Sequence, residues 1–466
     1  MRYRKYFKLG LASLVFFNLI LMLSSCKVIQ PHKMPDMSVD NKLFRDLVVS
    51  DTSNMANIPW KKLFSDPHLL TLIEEAVNNN RDLKIAEARM KKADANLRQS
   101  KAAFLPSLSL NAQAIYQKND LNGISNQRIY EVYGSASWEI DIWGKMRNAN
   151  KAQLAAFFES AAFKRAVQTQ LIADVATKYY TLLAYDAQLK ITMQTLEKRK
   201  ADVETMTLLK KTDVVTGADL VLSEANRYSA EVTIPDLKQS IYETENALCL
   251  LLGRNPGPIE RGLLTDQEIS TDLKYGVPGQ MLANRPDVQE AEFRFRYYFN
   301  MTNVARTYFY PALTLSATGG YSVTDLSYLF NAPMLALNIA GGLVQPILNY
   351  GQNKQRLRGA QADEEEYLIT YRQKLLQASN EVVNSLHSYQ MATEKMTIRT
   401  KQIESLEKSV DYTLELLKYT SNTNYTDVLT AEMNLLSAQL SGVGDKLQQL
   451  QSVVDLYQSL GGGWKN

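Results

Sequence analysis

Phe104-Leu105-Pro106-Ser107-Leu108-Ser109-Leu110 and Phe309-Tyr310-Pro311-Ala312-Leu313-Thr314-Leu315 have the same pattern, an aromatic, a proline and then alternating apolar residues. They stand 205 positions apart, and that offset also relates Asp82 to Asp287, Ala86 to Ala291, Glu87 to Glu292 and Arg89 to Arg294 without a gap. One such match is chance; a row of them at one offset is a duplication, with units far longer than a solenoid repeat. Each copy runs as a helix up to its proline, which forces the chain into an extended conformation there.

Beyond Pro106 the apolar residues recur at every second position, Leu108, Leu110, Ala112, Ala114 and Tyr116, the period of a strand with two unlike faces. Asn119 to Asn126, with Asp120, Asn122, Gly123 and Ser125, is a turn, and Ile129 to Trp143 reads as the returning strand. The second copy predicts strands at 312–323 and 334–348 around a turn at Thr324–Ser327. The four strands are thus expected at about 107–117, 129–143, 312–323 and 334–348.

The remainder is helix. Lys145 to Lys211 contains neither Pro nor Gly and places Leu171, Val175, Tyr179, Leu182, Leu189 and Ile191 at heptad-like spacing. Its 67 residues correspond to ~100 Å of helix. After Val215-Thr216-Gly217 a second helix returns from Asp219 to Leu252 and stops at Gly253-Arg254-Asn255-Pro256-Gly257-Pro258. Copy two repeats the scheme: Gln352 to Tyr419, a polar tip Thr420–Asn424, then Tyr425 to Leu460. Uncapped helices of this length point to a coiled coil or a helical barrel.

The N-terminus carries Arg2, Arg4, Lys5 and Lys8 ahead of the apolar run Leu9–Leu23, too short for a spanning helix and right for an export signal. It ends in Leu23-Ser24-Ser25-Cys26, similar to the lipobox of bacterial lipoprotein signals; that resemblance implies cleavage and acylation at Cys26, with Lys27 favouring the outer membrane. Cys249 is then left without an intramolecular disulfide partner and reads as a small buried hydrophobe.

Candidate chemistry is sparse. His32, His68 and His387 lack metal-ligand spacing, and no nucleophile elbow, Walker loop or dinucleotide glycine pattern occurs. Gly319-Gly320, Gly341-Gly342 and Gly461-Gly462-Gly463 are too weak for phosphate loops, and Asp363–Glu366 reads as a solvated helix face. A net charge of +3 without a basic run argues against nucleic acid. The expectation is a non-enzyme with no cofactor or metal apart from covalent lipid on Cys26. Strands of ~11 residues match an outer-membrane span. Four of them leave lipid-exposed edges, whereas three chains would supply twelve strands and a closed barrel.

Trp138–Lys145, Asn246-Ala247-Leu248 with Leu251-Leu252-Gly253, Ala283-Asn284-Arg285-Pro286-Asp287-Val288 and Leu460-Gly461-Gly462-Gly463-Trp464, in this order around the repeat, resemble the TolC-like outer-membrane efflux factors, most of all the lipoprotein branch serving resistance-nodulation-division pumps. The resemblance covers about Pro59 to Trp464. It implies a mixed, mainly α, TolC-like fold of two tandem repeats: a homotrimer with a twelve-stranded barrel in outer-membrane lipid and a periplasmic α-barrel. It also implies work as the exit duct of a tripartite efflux pump, with a periplasmic membrane-fusion adaptor and an inner-membrane transporter as partners. The helix tips, here Asp213–Asp219 and Thr420–Asp427, would form the gate and meet the adaptor. Asp427 matches one aperture aspartate of that family, and Thr430 stands where the second falls. Gly217, Asp219, Asn422 and Asn424 are the tip candidates for adaptor contact; Ser421-Asn422 replaces the glycine usual in the second tip.

The resulting domain scheme is a lipoprotein signal peptide at 1–25, a lipidated extended segment at 26–60, and repeats at 61–260 and 270–464. The alternative, a lipid-anchored coiled-coil envelope scaffold without a pore, predicts the helices but leaves the strands and their proline entries unexplained.

Overall fold

Alternating faces and uninterrupted helical runs assemble into four strands and eight α-helices among the described residues of a computed structural model, which covers 28–31, 57–117, 127–268, 284–329, 335–419 and 425–464. Cys26, the 1–25 signal, most of 26–60, the 119–126 turn, Asn422 and Asn424 lie outside the described residues. In chain order the elements are α1 (Trp60–Leu63), α2 (Pro67–Asn79), α3 (Arg81–Ala102), β1 (Ser107–Gln117), β2 (Gln127–Ile140), α4 (Lys145–Lys211), α5 (Gly217–Leu252), α6 (Pro286–Thr307), β3 (Ala312–Val323), β4 (Ala336–Val344), α7 (Gln352–Tyr419) and α8 (Tyr425–Ser459).

These elements fall into two units. The first takes 90–160 and 291–371 together with residues 28–31, and holds the sheet, ordered β1-β2-β3-β4 with every neighbour antiparallel. Ser107 lies opposite Ser137, Ile140 opposite Leu313, and Ala312 opposite Val344. β2 ends three residues before the expected Trp143. The reason is Asp141, whose carboxylate accepts from the backbone N–H groups of Met146 and Arg147, both at 3.0 Å, and so caps α4 instead of pairing. Trp143 is drawn off the ladder as well: its indole N–H donates to the Pro311 carbonyl at 2.8 Å, and its ring packs on Tyr310. β4 ends at Val344, ahead of Pro346, which has no N–H for a ladder.

The second unit takes 57–89, 161–268, 284–290 and 372–464 of the described residues. Its core includes Leu69, Ile73, Tyr179, Leu182, Leu248 and Leu252, all fully buried. Tyr179 donates to Asp66 at 2.6 Å, accepts from the Gly262 N–H at 3.0 Å, and so ties α4 to the start of α2. Arg261 bridges Asp186 of α4 and Glu245 of α5. Cys249 is buried, as a small core residue.

The described part of the Ala283–Val288 motif, Asn284–Val288, meets Leu460–Trp464 in this unit. Arg285, 5% exposed, donates to both Asp287 oxygens (3.0 and 2.7 Å), to Glu381 (2.5 Å) and to the carbonyls of Ala378 (3.4 Å) and Ser459 (3.0 Å). Gly461 comes two residues after Ser459 with φ +84°, and a Cβ there would stand 2.8 Å from the Asn284 carbonyl oxygen. Only glycine tolerates both the backbone conformation and the approach. The glycine triplet is therefore a packing device for Arg285, and Trp464 closes it by lying under the Arg165 guanidinium, 4.8 Å from the ring centroid.

Candidate functional site

Two features carry the chemistry: the sheet of the first unit and the helical tip of the second. The register sorts the strand residues into two faces. One face presents Leu108, Leu110, Ala112, Ala114 and Tyr116 of β1 beside Tyr130, Val132, Ala136 and Trp138 of β2. It continues across Leu313, Leu315 and Ala317 of β3 to Leu337, Ile339 and Leu343 of β4. Leu108 is 81% exposed, Leu110 79%, Leu337 69% and Ile339 66%, an apolar surface far beyond what a water-soluble protein leaves uncovered.

The opposite face carries Ser107, Ser109, Asn111 and Gln113, then Glu131, Ser135, Ser137 and Glu139, then Thr314, Ser316, Thr318 and Ser322, then Asn338. Cross-strand hydrogen bonds run over it: Ser109 to Ser135 at 2.6 Å, Asn111 to Ser135 at 3.1 Å, Gln113 to Glu131 at 2.5 Å and Ser322 to Glu131 at 3.0 Å. Gly320 sits on this face opposite Tyr133, where a Cβ would overlap the Val132 carbonyl oxygen and the Tyr133 Cα. Among the described residues β1 and β4 each have one strand neighbour, so the sheet is open at both edges. Near one end, Trp138 donates to the Phe104 carbonyl at 2.9 Å and Lys145 pairs with Glu139 at 3.0 Å.

The tip is built where α4 turns into α5 and where α8 begins. Met206, Tyr425 and Leu429 are buried together, with Leu209, Val215, Leu220 and Leu417 packed around them. The turn itself is closed by the Val214 N–H donating to the Leu209 carbonyl at 3.0 Å. Its left-handed residue is Asp213, at φ 55°. Gly217 is the first residue of α5, and a Cβ there would touch nothing nearer than the Lys210 side chain at 3.9 Å, so the fold does not demand glycine at that position. Asp219 completes a capping box with Thr216: each side chain accepts from the other's backbone N–H, at 2.9 Å into Asp219 and 3.2 Å into Thr216. Those contacts hold the Asp219 carboxyl below its usual range, through the Thr216 hydroxyl first and the Thr216 N–H second.

Asp427 lies exposed in the first turn of α8, and Thr430, also exposed, turns its hydroxyl back to the Thr426 carbonyl at 2.8 Å. The structure thus brings the first tip and the Asp427–Thr430 turn to one apolar cluster. Beneath it is a polar group that sequence reasoning missed. Arg199 of α4, 2% exposed, stands 2.9 Å from Glu432 of α8 and 3.8 Å from Asp202. Burial and the nearby Asp202 push the Glu432 carboxyl upward against the pull of Arg199, and burial followed by Asp202 pushes the Tyr425 phenol up. No local signal announces this group, because its members are joined only by the packing of α4 on α8.

A family model described as "Outer membrane efflux protein" matches residues 72–254 and 277–462. The chain is 28% identical over 456 residues to the cation efflux system protein CusC of Escherichia coli, covering 96% of this chain and 98% of that one. It is 30% identical over 422 residues to the pyoverdine export outer membrane protein OpmQ of Pseudomonas putida, covering 87% and 88%. Among solved structures, the outer-membrane channel OprN superposes with a TM-score of 0.87 at 25% identity, over 95% of this chain and all of that one.

Proposed function

The chain belongs to the outer membrane efflux protein family, and from that premise we propose that three copies close a twelve-stranded barrel through which small exported compounds leave the cell. Its place is the outer membrane and its work is efflux. The observation that carries the proposal is the open, two-faced sheet. Its apolar face needs lipid and its free edges need partners, because unpaired backbone groups cost several kcal/mol each in hydrocarbon. Four antiparallel strands from each of three chains satisfy every edge and place the serine, asparagine and threonine face around water.

In this reading the tip is the periplasmic end of the duct. Asp427 lines its aperture with Thr430 one turn deeper, and the exposed turn at Gly217 and Asp219, with Asn422 and Asn424, receives a periplasmic adaptor. An inner-membrane resistance-nodulation-division transporter supplies the energy, and acyl chains on Cys26 anchor the chain in the outer-membrane leaflet. The protein itself conducts passively, without catalysis or cofactor. One relative is named for cations and another for pyoverdine, which supports assigning cargo choice to the pump and not to this duct.

The test is the detergent-solubilised full chain, measured for particle mass and then reconstituted in planar bilayers. Three chains per particle and discrete conductance steps, with Asp427→Asn altering block by divalent cations, are expected. A stable monomer without conductance refutes the channel and returns the scaffold.

A further inference from the structure

The polar face of the sheet is neutral almost throughout. Of its described side chains only Glu131 and Glu139 are carboxylates and none is Lys, Arg or His, and Glu139 is neutralised by Lys145 at 3.0 Å. Glu131 differs. Gln113 Nε2 of β1 donates to one of its oxygens at 2.5 Å and Ser322 Oγ of β3 donates to the other at 3.0 Å. Both donors are uncharged, and no cation pairs with Glu131 among the described residues. The two neighbouring strands thus orient a carboxylate without pairing it to a cation.

We infer that Glu131 is the charge on the barrel wall that selects hydrated cations over anions during passage. The inference rests on the proposed trimeric barrel. There the threefold axis turns one fixed carboxylate into a ring of three on an otherwise uncharged surface of hydroxyls and amides, with Ile115, Ile129 and Tyr133 beside them. Such a ring concentrates counter-ions because field lines are confined by the low-dielectric wall. The place is set by register. Glu131 pairs with Gln113, four residues before the end of β1 and six beyond its start at Ser107, so the ring stands inside the strand-lined segment. It is distinct from the helical tip, where Asp427 lies. Exported cations and zwitterions would meet this ring, and anionic compounds would be slowed by it.

The test is reversal potential in planar bilayers under a potassium chloride gradient, with the full chain, Glu131→Gln, Glu131→Asp and Glu131→Gln combined with Asp427→Asn. Loss of the ring should lower the cation-to-anion permeability ratio on the order of threefold. Glu131→Asp should keep the wild-type ratio. The same drop should appear in the Asp427→Asn background, as expected for a site away from the tip. Channels of unchanged conductance and unchanged reversal potential in Glu131→Gln overturn the inference, as does a Glu131→Asp protein that behaves like Glu131→Gln. If the wild-type trimer forms no channel at all, the barrel itself fails, a result separate from either.

Discussion

Replacing Arg285 by Met keeps the stem and removes a charge that is 5% exposed. The wild-type guanidinium satisfies two carboxylates and the carbonyls of Ala378 and Ser459. Breaking a buried pair by removing one partner costs roughly 3–5 kcal/mol. Here the lower end applies, since Asp287 keeps Lys374 at 2.9 Å and Glu381 is half exposed and can rehydrate. We expect about 3 kcal/mol at neutral pH. The loss carries a pH signature. Burial works against ionisation of Asp287, but Arg285 first and Lys374 second hold its carboxyl at about 2, against an ordinary 3.8. A depressed carboxyl stabilises the fold above its unfolded pKa and loses that contribution as pH falls through the folded one. The shift is worth about 2 kcal/mol, of which about half is gone at pH 3. The gap between wild type and Arg285→Met should therefore narrow from pH 7 to pH 3. The assay is guanidinium unfolding in detergent followed by helical circular dichroism at both pH values. A gap under about 1 kcal/mol at pH 7, or one that does not change by pH 3, refutes the assignment of Arg285 as a buried ionic hub.

Gly461→Ala should cost about 2 kcal/mol in the same assay, from the left-handed backbone and the 2.8 Å approach to the Asn284 oxygen; wild-type stability would show that the contact yields. Its effect and that of Arg285→Met should be less than additive, because they share one site. Gly320→Ala should block β2–β3 pairing beside Tyr133 and leave the protein unassembled in the outer membrane, read by loss of the folded band on unheated gels; a normal band would disprove the steric reading. Thr216→Ala removes half of the α5 capping box and should speed amide exchange in the first turn of α5 several-fold while exchange around Tyr179 is unaltered. Equal exchange at both places would rule out a local cap.

Periodicity made the architecture legible. The 205-residue offset, the period-2 runs and the proline entries locate four strands and the long helices. What the pattern could not show is where pairing stops, because Asp141 and Trp143 look like strand residues until their partners, the α4 N-terminus and the Pro311 carbonyl, are in place. The helix expected from Asp219 to Leu252 runs through Pro235 as read. Pro235 lies within α5 without ending it, on an exposed face where residue 231, whose carbonyl loses a donor, is exposed to water. The site was half legible. Glu131 reads as one polar residue among many until the register puts Gln113 and Ser322 on its two sides. Arg199, Asp202, Tyr425 and Glu432 are united only by helix packing across more than two hundred residues, which no window of sequence can register.

The hydrogen bond from Arg285 to the Ser459 carbonyl spans 174 positions, and the one from Tyr457 to Ile58 spans 399. Such closures come late, since the cost of bringing ends together precedes any gain from the contact. During synthesis and export, the Arg285 pocket has no second wall until Ser459 has emerged. The second unit therefore cannot complete its packing while that stretch is still missing. Among the described residues, the Leu460–Trp464 motif follows every other part of the second unit in the chain, so closure of that unit waits on one short glycine-rich stretch.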